Sequence, residues 1–362
     1  MIKGKRILIT GACGTVGAEL IQQLIDMGAN GPSEIIGIDN NESSLFFQDQ
    51  KYINEKSVNF VVTDIRDLNS LKRKMEGIDI VFHTAALKHV ILSERSPEQA
   101  VQTNIQGVQN IIEAASYYNV GKTIFTSSDK AVNPTNVMGT SKLMGERLMT
   151  AANSNRRNEG SIFSSTRFGN VLGSSGSVIP IFKNQIASGG PVTLTHPEMT
   201  RFVMSIEESV KLVVASVNYA RGGEIFVTKM PVVRIADLAE AMISVLAPKF
   251  GFAPEDIKIE HIGTKPGEKL YEELMSDEET RRAVELDKFF SVLPAFRGIY
   301  HDIDYSYKEL VNETVEDPYN SSIQKTLTVD EIKVLLSEYA LLDEANDDPN
   351  SERYWPGDKE TR

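Results

Sequence analysis

The sequence predicts an α/β fold, a doubly wound parallel-sheet Rossmann domain followed by a smaller C-terminal α/β lobe. Short apolar runs alternate with amphipathic, helix-length segments through the first half of the chain, which is typical of βαβ units and a parallel sheet. A glycine-rich loop joins the first strand to the first helix. After about Phe168 the alternation loosens and glycine and proline become frequent, which indicates a second lobe.

The predicted elements follow from these patterns in chain order. The first-domain strands are Arg6–Thr10, Glu34–Asp39, Asn59–Thr63, Ile78–Thr84 and Lys122–Ser127. Helical periodicity marks Val16–Met27, Leu68–Met75, Ala100–Asn119, Ile206–Ala220 and Ile235–Leu246, with a strand at Glu224–Thr228. We therefore predict a domain at 1–168, a substrate-binding lobe at 169–340 with some exchange of chain between the two, and an acidic tail at 341–362.

Composition excludes several classes of protein. The 362 residues carry a net charge of −12, so the surface should bind nucleic acid and anionic lipid poorly. The single cysteine, Cys13, rules out an internal disulfide framework. No apolar run approaches the roughly 18 residues of a membrane-spanning helix. We expect a cytoplasmic protein that neither binds nucleic acid nor inserts into a membrane.

The glycine-rich loop predicts a dinucleotide site. Its glycines are Gly11, Gly14 and Gly17, which suit a tight turn, close approach of a pyrophosphate and close helix–strand packing. Thr15 and Val16 open the following helix, whose free N–H groups favour phosphate.

Two carboxylates follow at strand ends and bear on the choice of cofactor. Asp39 ends the second strand, where a carboxylate accepts hydrogen bonds from an adenosine ribose 2′-hydroxyl. Because Asp39 would repel a 2′-phosphate and its neighbours Asn40 and Asn41 bring no arginine, NAD is favoured over NADP. Asp64, with Ile65 after it, could meet the adenine, although Asp64 could equally be a helix cap.

These motifs resemble those of the extended short-chain dehydrogenase/reductases. The matching features are TGxxGxxG at Thr10–Gly17, the alanine pair Ala85–Ala86, Asn104 in TNIQGVQN, and Lys142. The resemblance implies that Ala85, Ala86 and Lys142 lie at the cofactor, with Lys142 on the nicotinamide ribose.

Four further stretches narrow the resemblance to nucleotide-activated N-acetylhexosamine 4,6-dehydratases of bacterial glycan biosynthesis. They are SSDKAVNPTNVMGTSK, RFGNVLGSSGSVIPIF, PEMTRFVMSIEE and GTKPGEKLYEEL. The type member of that family acts on UDP-N-acetylglucosamine. Met138 stands where most members have tyrosine, and the methionine subset is associated with retention of configuration at C5 of the sugar. Met138 cannot transfer a proton and is interpreted as an apolar filler beside nicotinamide or sugar.

The implied reaction oxidises C4, eliminates water across C5 and C6, and returns hydride to C6. We assign Asp129 as the acid toward the C6 hydroxyl and Lys130 as the base at C5, because both follow the strand end where open α/β sheets place their ligands. Ser128 could orient the C4 hydroxyl. The base for that hydroxyl stays open, since Asp129 or Lys130 could serve twice.

The remaining candidates concern the sugar nucleotide. Lys88, Arg201 and Asn170 are candidates for the diphosphate, as is Arg167, although an arginine after a strand can simply pair with a carboxylate. Thr193 and Thr195 could line the nucleotide pocket or belong to a plain edge strand. Glu268 is a candidate for the nucleotide ribose diol.

Several alternatives remain at this point. His83 and His89 lack metal-ligand partners at useful spacing, so no catalytic metal is predicted. The substrate could be UDP- or GDP-N-acetylglucosamine. A sugar-nucleotide epimerase and a non-catalytic NAD-binding protein are the competing functions. Family members usually associate through the helices near Asn104 and Lys142, which implies a homo-oligomer.

Overall fold

The computed structural model describes residues 1–154, 160–173, 177–263, 268–296 and 303–342. The helices are α1 Thr15–Asp26, α2 Glu42–Lys51, α3 Leu68–Met75, α4 Val90–Arg95, α5 Pro97–Ala100, α6 Gly107–Tyr117, α7 Val137–Ala152, α8 Val178–Ala187, α9 Ile206–Tyr219, α10 Ile235–Leu246, α11 Asp277–Thr280 and α12 Val329–Glu338. The strands are β1 Arg6–Thr10, β2 Glu34–Asp39, β3 Val58–Val62, β4 Ile80–His83, β5 Lys122–Ser128, β6 Ile162–Phe168, β7 Asn170–Val171, β8 Val192–Leu194, β9 Thr200–Met204, β10 Ile225–Thr228, β11 Val232–Arg234, β12 Ile259–His261, β13 Glu273–Met275, β14 Ala283–Leu286, β15 Phe289–Val292, β16 Leu310–Asn312 and β17 Tyr319–Asn320.

The main sheet has the strand order of a Rossmann fold. Its order is β16-β14-β15-β10-β6-β5-β4-β1-β2-β3. Every neighbouring pair from β3 through β10 is parallel, and β15, β14 and β16 add an antiparallel edge beside β10. The chain therefore reverses direction across the sheet between β1 and β4, and the carboxyl ends of the parallel strands share one edge. The predicted fold class is confirmed.

The bounds of the predicted strands and helices agree with the structure to within two residues, except at the helix predicted at Ala100–Asn119. The bounds of β1, β2, α3 and α10 are those predicted from periodicity. The helix predicted at Ala100–Asn119 is instead α5, a π-helical stretch at Val101–Gln106, and α6. A π-turn has an extra residue, which a search for 3.6-residue periodicity does not detect.

The chain divides into two compact units, each with its own core. The first comprises Met1–Phe168, Glu207–Lys229 and Glu273–Asn320, and the second comprises the intervening and final segments. The sequence analysis placed 207–229 and 273–320 in the second lobe, with an allowance for exchange. They belong to the first unit because β10 and β14–β16 extend its main sheet.

The core of the first unit lies between the sheet and the helices α3, α6 and α7. Its fully buried members include Leu71, Ile111, Phe125, Met149 and Phe163. The second unit buries apolar faces of α8, α10 and α12 together, with Phe182, Met242 and Leu336 at the centre. Two small sheets, β11-β9-β7 and β12-β8, complete the second unit.

Two sequence predictions concern the periphery. The acidic tail predicted at 341–362 lies, apart from Leu341 and Leu342, outside the described residues. In the described ranges no helix combines the length and hydrophobicity needed to cross a membrane.

Candidate active site

The glycine-rich loop forms a backbone cradle at the carboxyl end of β1. Gly11 has φ +71°, and a Cβ there would stand 2.7 Å from the backbone of Ala85. A Cβ at Gly17 would collide with the carbonyl oxygen of Gly11. Gly14 precedes α1 and caps it with no side chain, while Thr15 and Val16 are its first helical residues. The first-turn N–H groups of this 12-residue helix therefore lack a side-chain cap, which fits a pyrophosphate.

Asp39 lies at the end of β2 beside this cradle. Its carboxylate accepts hydrogen bonds from the amides of Cys13 (3.1 Å) and Asn41 (3.0 Å). The Asp39 carboxylate is thereby held next to the loop. The cradle and Asp39 together fit the adenosine and diphosphate of a dinucleotide.

Asp64 and Ile65 follow β3. The Asp64 carboxylate pairs with Arg66 at 2.6 Å, and that hydrogen bond lowers the pKa of Asp64. The cap of α3 is Asp67, which accepts from the amide of Ser70, so the alternative reading of Asp64 as the helix cap is wrong. Ile65 is buried, and contact of Asp64 with adenine stays a prediction.

The turn after β5 places the ion pair of Asp129 and Lys130 at the carboxyl ends of the parallel strands. Asp129 is buried, with its side chain 3% exposed, and both carboxylate oxygens lie about as close to Lys130 Nζ, at 3.1 and 3.0 Å. The side chain of Lys130 is 34% exposed. Ser128 caps the turn by accepting from the amide of Lys130 at 3.2 Å. Ser128, Asp129 and Lys130 thus form one compact group, in which the carboxylate of Asp129 is in direct contact with the amino group of Lys130.

Helix α7 is fixed against this turn. A Cβ at Gly139 would collide with the carbonyl oxygen of Lys130, so the helix start and the turn are in backbone contact. Asn136 caps the helix at the amide of Gly139 (2.8 Å), and Glu94 accepts from the amide of Val137 (2.6 Å). Met138, the next residue, is 3% exposed.

Lys142 lies one turn further along α7 in an apolar setting. Its Nζ donates to the carbonyl oxygen of Thr126 at 3.0 Å and lies 4.6 Å from the ring centroid of Phe125. Burial lowers the pKa of Lys142 to about 8, against an opposing effect of Glu146. An ammonium has three donors, so a ribose hydroxyl can still be bound from this position.

His83 at the end of β4 is a buried neighbour of Lys142. Its Nδ1 shares a hydrogen bond of 2.7 Å with Thr10. Burial first and Lys142 second lower the pKa of His83 to about 3, so its imidazole is neutral. His83 therefore acts as a neutral packing group here. Within the described ranges no three histidine, cysteine or acidic side chains gather in a way that could hold a metal ion.

Asn104 links the loop after β4 to α7. Its amide accepts from Leu87 N (2.8 Å), donates to Leu87 O (3.0 Å) and donates to Ser141 Oγ (2.9 Å). The loop containing Ala85, Ala86 and the exposed Lys88 is thereby tied to the helix of Met138 and Lys142. The motif TNIQGVQN drew attention to Asn104, but only the fold reveals what its side chain joins.

Arg167 was a candidate for the diphosphate, and the structure contradicts that assignment. Its side chain is 0% exposed and pairs with Glu146 at 2.6 Å and Glu279 at 3.0 Å. It also donates to the carbonyl oxygen of Leu274 at 2.7 Å. The alternative, pairing with carboxylates, is what the fold shows.

The second unit brings Asn170, Arg201 and Glu268 together around a residue that the sequence analysis missed, Glu272. Asn170 donates to both Glu272 oxygens at 3.0 and 3.1 Å. Arg201 Nε lies 3.2 Å from Glu272, and Arg201 Nη2 lies 3.9 Å from Glu268. Arg201 and Asn170 are therefore already engaged by carboxylates, and their binding of a diphosphate stays a prediction.

The hydroxyl groups of Thr193 and Thr195 have different hydrogen-bond partners. Thr193 is bonded on both its hydroxyl and its amide to Gln185 of α8, and it lies between two buried residues of β8. The hydroxyl of Thr195 lies 3.4 Å from the sulfur of Met199. β8 pairs with β12 in a two-stranded parallel sheet, so it is an edge strand, which was the alternative prediction.

Comparison with known proteins places this geometry in a family. Residues 7–294 match the family described as "Polysaccharide biosynthesis protein". The chain is 47% identical to the uncharacterized membrane protein MJ1061 of Methanocaldococcus jannaschii over 94% of its own length and 97% of that protein. It is 37% identical to a UDP-glucose 4-epimerase of Rickettsia bellii (93% and 96%) and 35% identical to an inverting UDP-N-acetylglucosamine 4,6-dehydratase of Campylobacter jejuni (89% and 93%).

A solved structure has the same architecture. Pen from Bacillus thuringiensis aligns with a TM-score of 0.83 and 36% identity, covering 93% of this chain and 98% of Pen. The resemblance to extended short-chain dehydrogenase/reductases, and to the 4,6-dehydratases among them, is confirmed by these matches.

Proposed function

The chain belongs to the polysaccharide biosynthesis protein family, whose relatives modify nucleotide sugars, and we propose that it is an NAD-dependent nucleotide-sugar 4,6-dehydratase. The proposed substrate is UDP-N-acetylglucosamine or its GDP analogue. The product would be the 4-keto-6-deoxy sugar nucleotide, for surface glycan or for nonulosonic or bacillosamine-type sugars.

The observation that carries the proposal is the Asp129–Lys130 pair beside Met138. Elimination across C5 and C6 needs one group that takes a proton and one that gives a proton, close together. Lys130 Nζ lies 3.0 Å from an Asp129 carboxylate oxygen, at the carboxyl ends of the parallel strands, where ligands bind in folds of this kind. An epimerase leaves the C6 hydroxyl of its substrate in place and needs no acid for it, so this pair favours the dehydratase.

The cofactor would be held by the glycine cradle, Asp39 and Lys142. When bound, NAD⁺ would accept hydride from C4 of the sugar and return it to C6. The amides at the start of α1 would bind the pyrophosphate and Asp39 the adenosine ribose. Lys142 would bind the nicotinamide ribose and place positive charge beside the ring.

The proton steps follow from the contact between Asp129 and Lys130. A carboxylic acid beside a neutral amine contains the same number of protons as a carboxylate beside an ammonium, so the pair can pass between these two forms by an internal transfer. In the uncharged form the Lys130 amine takes the proton from C5 and the Asp129 carboxyl gives one to the departing C6 hydroxyl, which leaves as water. The pair then stands as ammonium and carboxylate. The Lys130 ammonium would return a proton to C5 as hydride reaches C6, and Asp129 would regain from solvent the proton that the C4 hydroxyl had released to solvent, which restores the uncharged pair.

Ser128, which precedes the turn, and Met138 on α7 would act on the position of the substrate and on the polarity of the site. Ser128 accepts from the Lys130 amide and can donate its hydroxyl hydrogen toward the C4 oxygen. Met138 supplies shape without a proton. Release of the C4 hydroxyl proton falls to Lys130 or Asp129, as the only acid–base groups of this turn in the described part of the chain.

The test is incubation of purified protein with UDP- and GDP-N-acetylglucosamine, without added reductant, followed by mass spectrometry. Loss of one water from either substrate supports the proposal. The epimerase is the second candidate because a relative at 37% identity is named UDP-glucose 4-epimerase. A product of unchanged mass but altered C4 configuration would favour it, and no product from either nucleotide would favour a non-catalytic NAD-binding protein.

A further inference from the structure

The guanidinium of Arg201 is anchored by the protein at each of its three nitrogens. Nη1 donates to the carbonyl oxygens of Thr200 (2.7 Å) and Leu270 (3.3 Å). Nη2 donates to the carbonyl oxygen of Lys269 (2.9 Å) and to the sulfur of Met199 (3.0 Å). Nε lies 3.2 Å from the Glu272 carboxylate. One side chain thus ties β9 to the segment 269–272.

Glu272 secures the other end of that segment. Its side chain is 6% exposed, and its carboxylate accepts from Asn170 while facing Arg201. Its backbone is held twice by Ser321, whose Oγ accepts from the Glu272 amide and whose amide donates to the Glu272 carbonyl, each at 2.9 Å. The hydroxyl of Ser321 in turn meets that of Thr200 at 2.9 Å. The segment is therefore fixed at its end as well as along its length.

We infer that Arg201 and Glu272 form a clamp that fixes the segment Glu268–Tyr271 for recognition of the nucleoside, and that Arg201 is a positioning residue rather than a diphosphate ligand. The inference rests on the proposed function, since it takes a nucleotide as the ligand. Turning the guanidinium to a phosphate would remove donors from three backbone carbonyls and from a buried carboxylate, which is costly. Glu268, the candidate for the ribose diol, lies on the clamped segment with its carboxylate 3.9 Å from Arg201.

The first measurement is amide hydrogen exchange of the ligand-free full chain. R201K keeps the positive charge but replaces a planar three-nitrogen group by a single ammonium, so it cannot make these contacts together. We expect the amides of Lys269–Glu272 to exchange about ten-fold or more faster, as expected for lost hydrogen bonds to a charged group. The matched control is R234K, since Arg234 belongs to the same unit but its side chain is 42% exposed in a surface pair with Asp237. Unchanged exchange in R201K would overturn the clamp.

The second measurement separates a clamp from a phosphate contact. Affinities for UDP and for uridine are measured by calorimetry and by competition NMR for wild type, R201K, E268Q and R234K. A clamp predicts that R201K weakens both probes by the same factor, about ten-fold, and raises KM without changing kcat. It also predicts that adding E268Q to R201K lowers the affinity for UDP and uridine little further, because Arg201 acts through Glu268. A loss confined to UDP would assign Arg201 to the diphosphate and overturn the inference.

A second variant and the behaviour of the wild type complete the test. E272Q is nearly isosteric and is subjected to both measurements if R201K does not fold. If wild-type protein binds neither UDP nor uridine, the proposed function is wrong for a uridine nucleotide, while the exchange experiment still decides whether the clamp exists.

Discussion

Two clusters of paired acidic and basic side chains lie at neighbouring strand ends of the main sheet. There Ser127 of β5 is in register with Arg167 of β6. In the pair after β5, Asp129 is buried but the side chain of Lys130 is 34% exposed. In the group on β6, Arg167 and Glu146 are 0% exposed and Glu279 is 5% exposed. The first contains a partly exposed amine, the group that we propose takes part in proton transfer. The second contains a guanidinium that stays charged, enclosed by two carboxylates.

The difference separates two uses of charge in one sheet. Proton transfer to or from a substrate requires a donor or acceptor side chain that the substrate can reach. Arginine, with its permanently charged fork, is suited to holding carboxylates in a fixed place. The Arg167 group joins β6, α7 and α11, and thus fixes the helix that bears Lys142 relative to a segment much later in the chain.

The largest expected effect is on turnover. Asp129→Asn removes the proposed acid and should lower kcat roughly 10²–10⁴-fold while substrate and NAD still bind. The stalled protein should still oxidise C4, so the near-ultraviolet absorbance of reduced nicotinamide should accumulate on the protein. The matched control is Asp330→Asn, whose side chain is 91% exposed. Wild-type turnover in Asp129→Asn would make this residue a turn residue.

The second prediction tests the enclosed group. Arg167→Met removes the cation that pairs with both Glu146 and Glu279, and leaves Glu279 only its longer contact with Arg282 at 3.8 Å. It should lower the free energy of unfolding by about 3–5 kcal/mol. Arg234→Met, at an exposed pair, should cost about 0–1 kcal/mol. Both are measured by urea unfolding. A stable Arg167→Met protein with weakened UDP binding would revive the diphosphate assignment.

The same group should respond to acid. Burial alone would raise the pKa of Glu279, but Arg167 lowers it from 4.5 to about 2. Because the folded pKa is depressed, Glu279 stabilises the fold above its unfolded pKa, and this is lost as pH falls from about 4.5 toward about 2. The stability difference between wild type and Glu279→Gln should be of order 3 kcal/mol near neutral pH and shrink below about pH 4. A difference independent of pH would mean that Glu279 is not the titrating group.

The smallest effect is expected at Asp39, a half-buried carboxylate. Asp39 is held by the amides of Cys13 and Asn41. Asp39→Ala should weaken NAD binding about ten-fold and weaken NADP binding less, since the substitution removes the repulsion of a 2′-phosphate. Calorimetry with both dinucleotides measures this. Equal losses would show that Asp39 only shapes the loop.

Local patterns predicted most of the fold, because strands and helices have their own periodicities. The strand bounds of β1 and β2 and the position of the glycine cradle needed no tertiary information. Some exchange of chain between the two units was predicted, but the sequence did not identify 207–229 and 273–320 as the segments that belong to the first unit, because strand order in a sheet has no local signal. Arg167 shows the same limit, since its partner Glu279 lies 112 residues away.

The site was predicted in part for the same reason. Asp129, Lys130, Met138 and Lys142 lie in one short stretch, and the fold joins the turn to α7 as the motif suggests. The assignments in the second unit depended on side-chain direction, which sequence does not give. Asn170 and Arg201 turn toward Glu272. This residue lies in the stretch GTKPGEKLYEEL, but its partner Asn170 is 102 residues away, so the sequence did not reveal the contact.

The return of the chain to its first unit has a consequence for synthesis on the ribosome. When residue 168 has emerged, β6 is still an open edge, and Arg167 has met Glu146 but not Glu279. Strand β10 covers that edge only after residue 228, and the antiparallel strands beyond it come as late as Asn312. At that stage Arg167 still lacks one of its two carboxylate partners, and an uncovered edge strand favours association with other chains. Nascent chains stalled between these two points should therefore depend on chaperones more than chains released after residue 320.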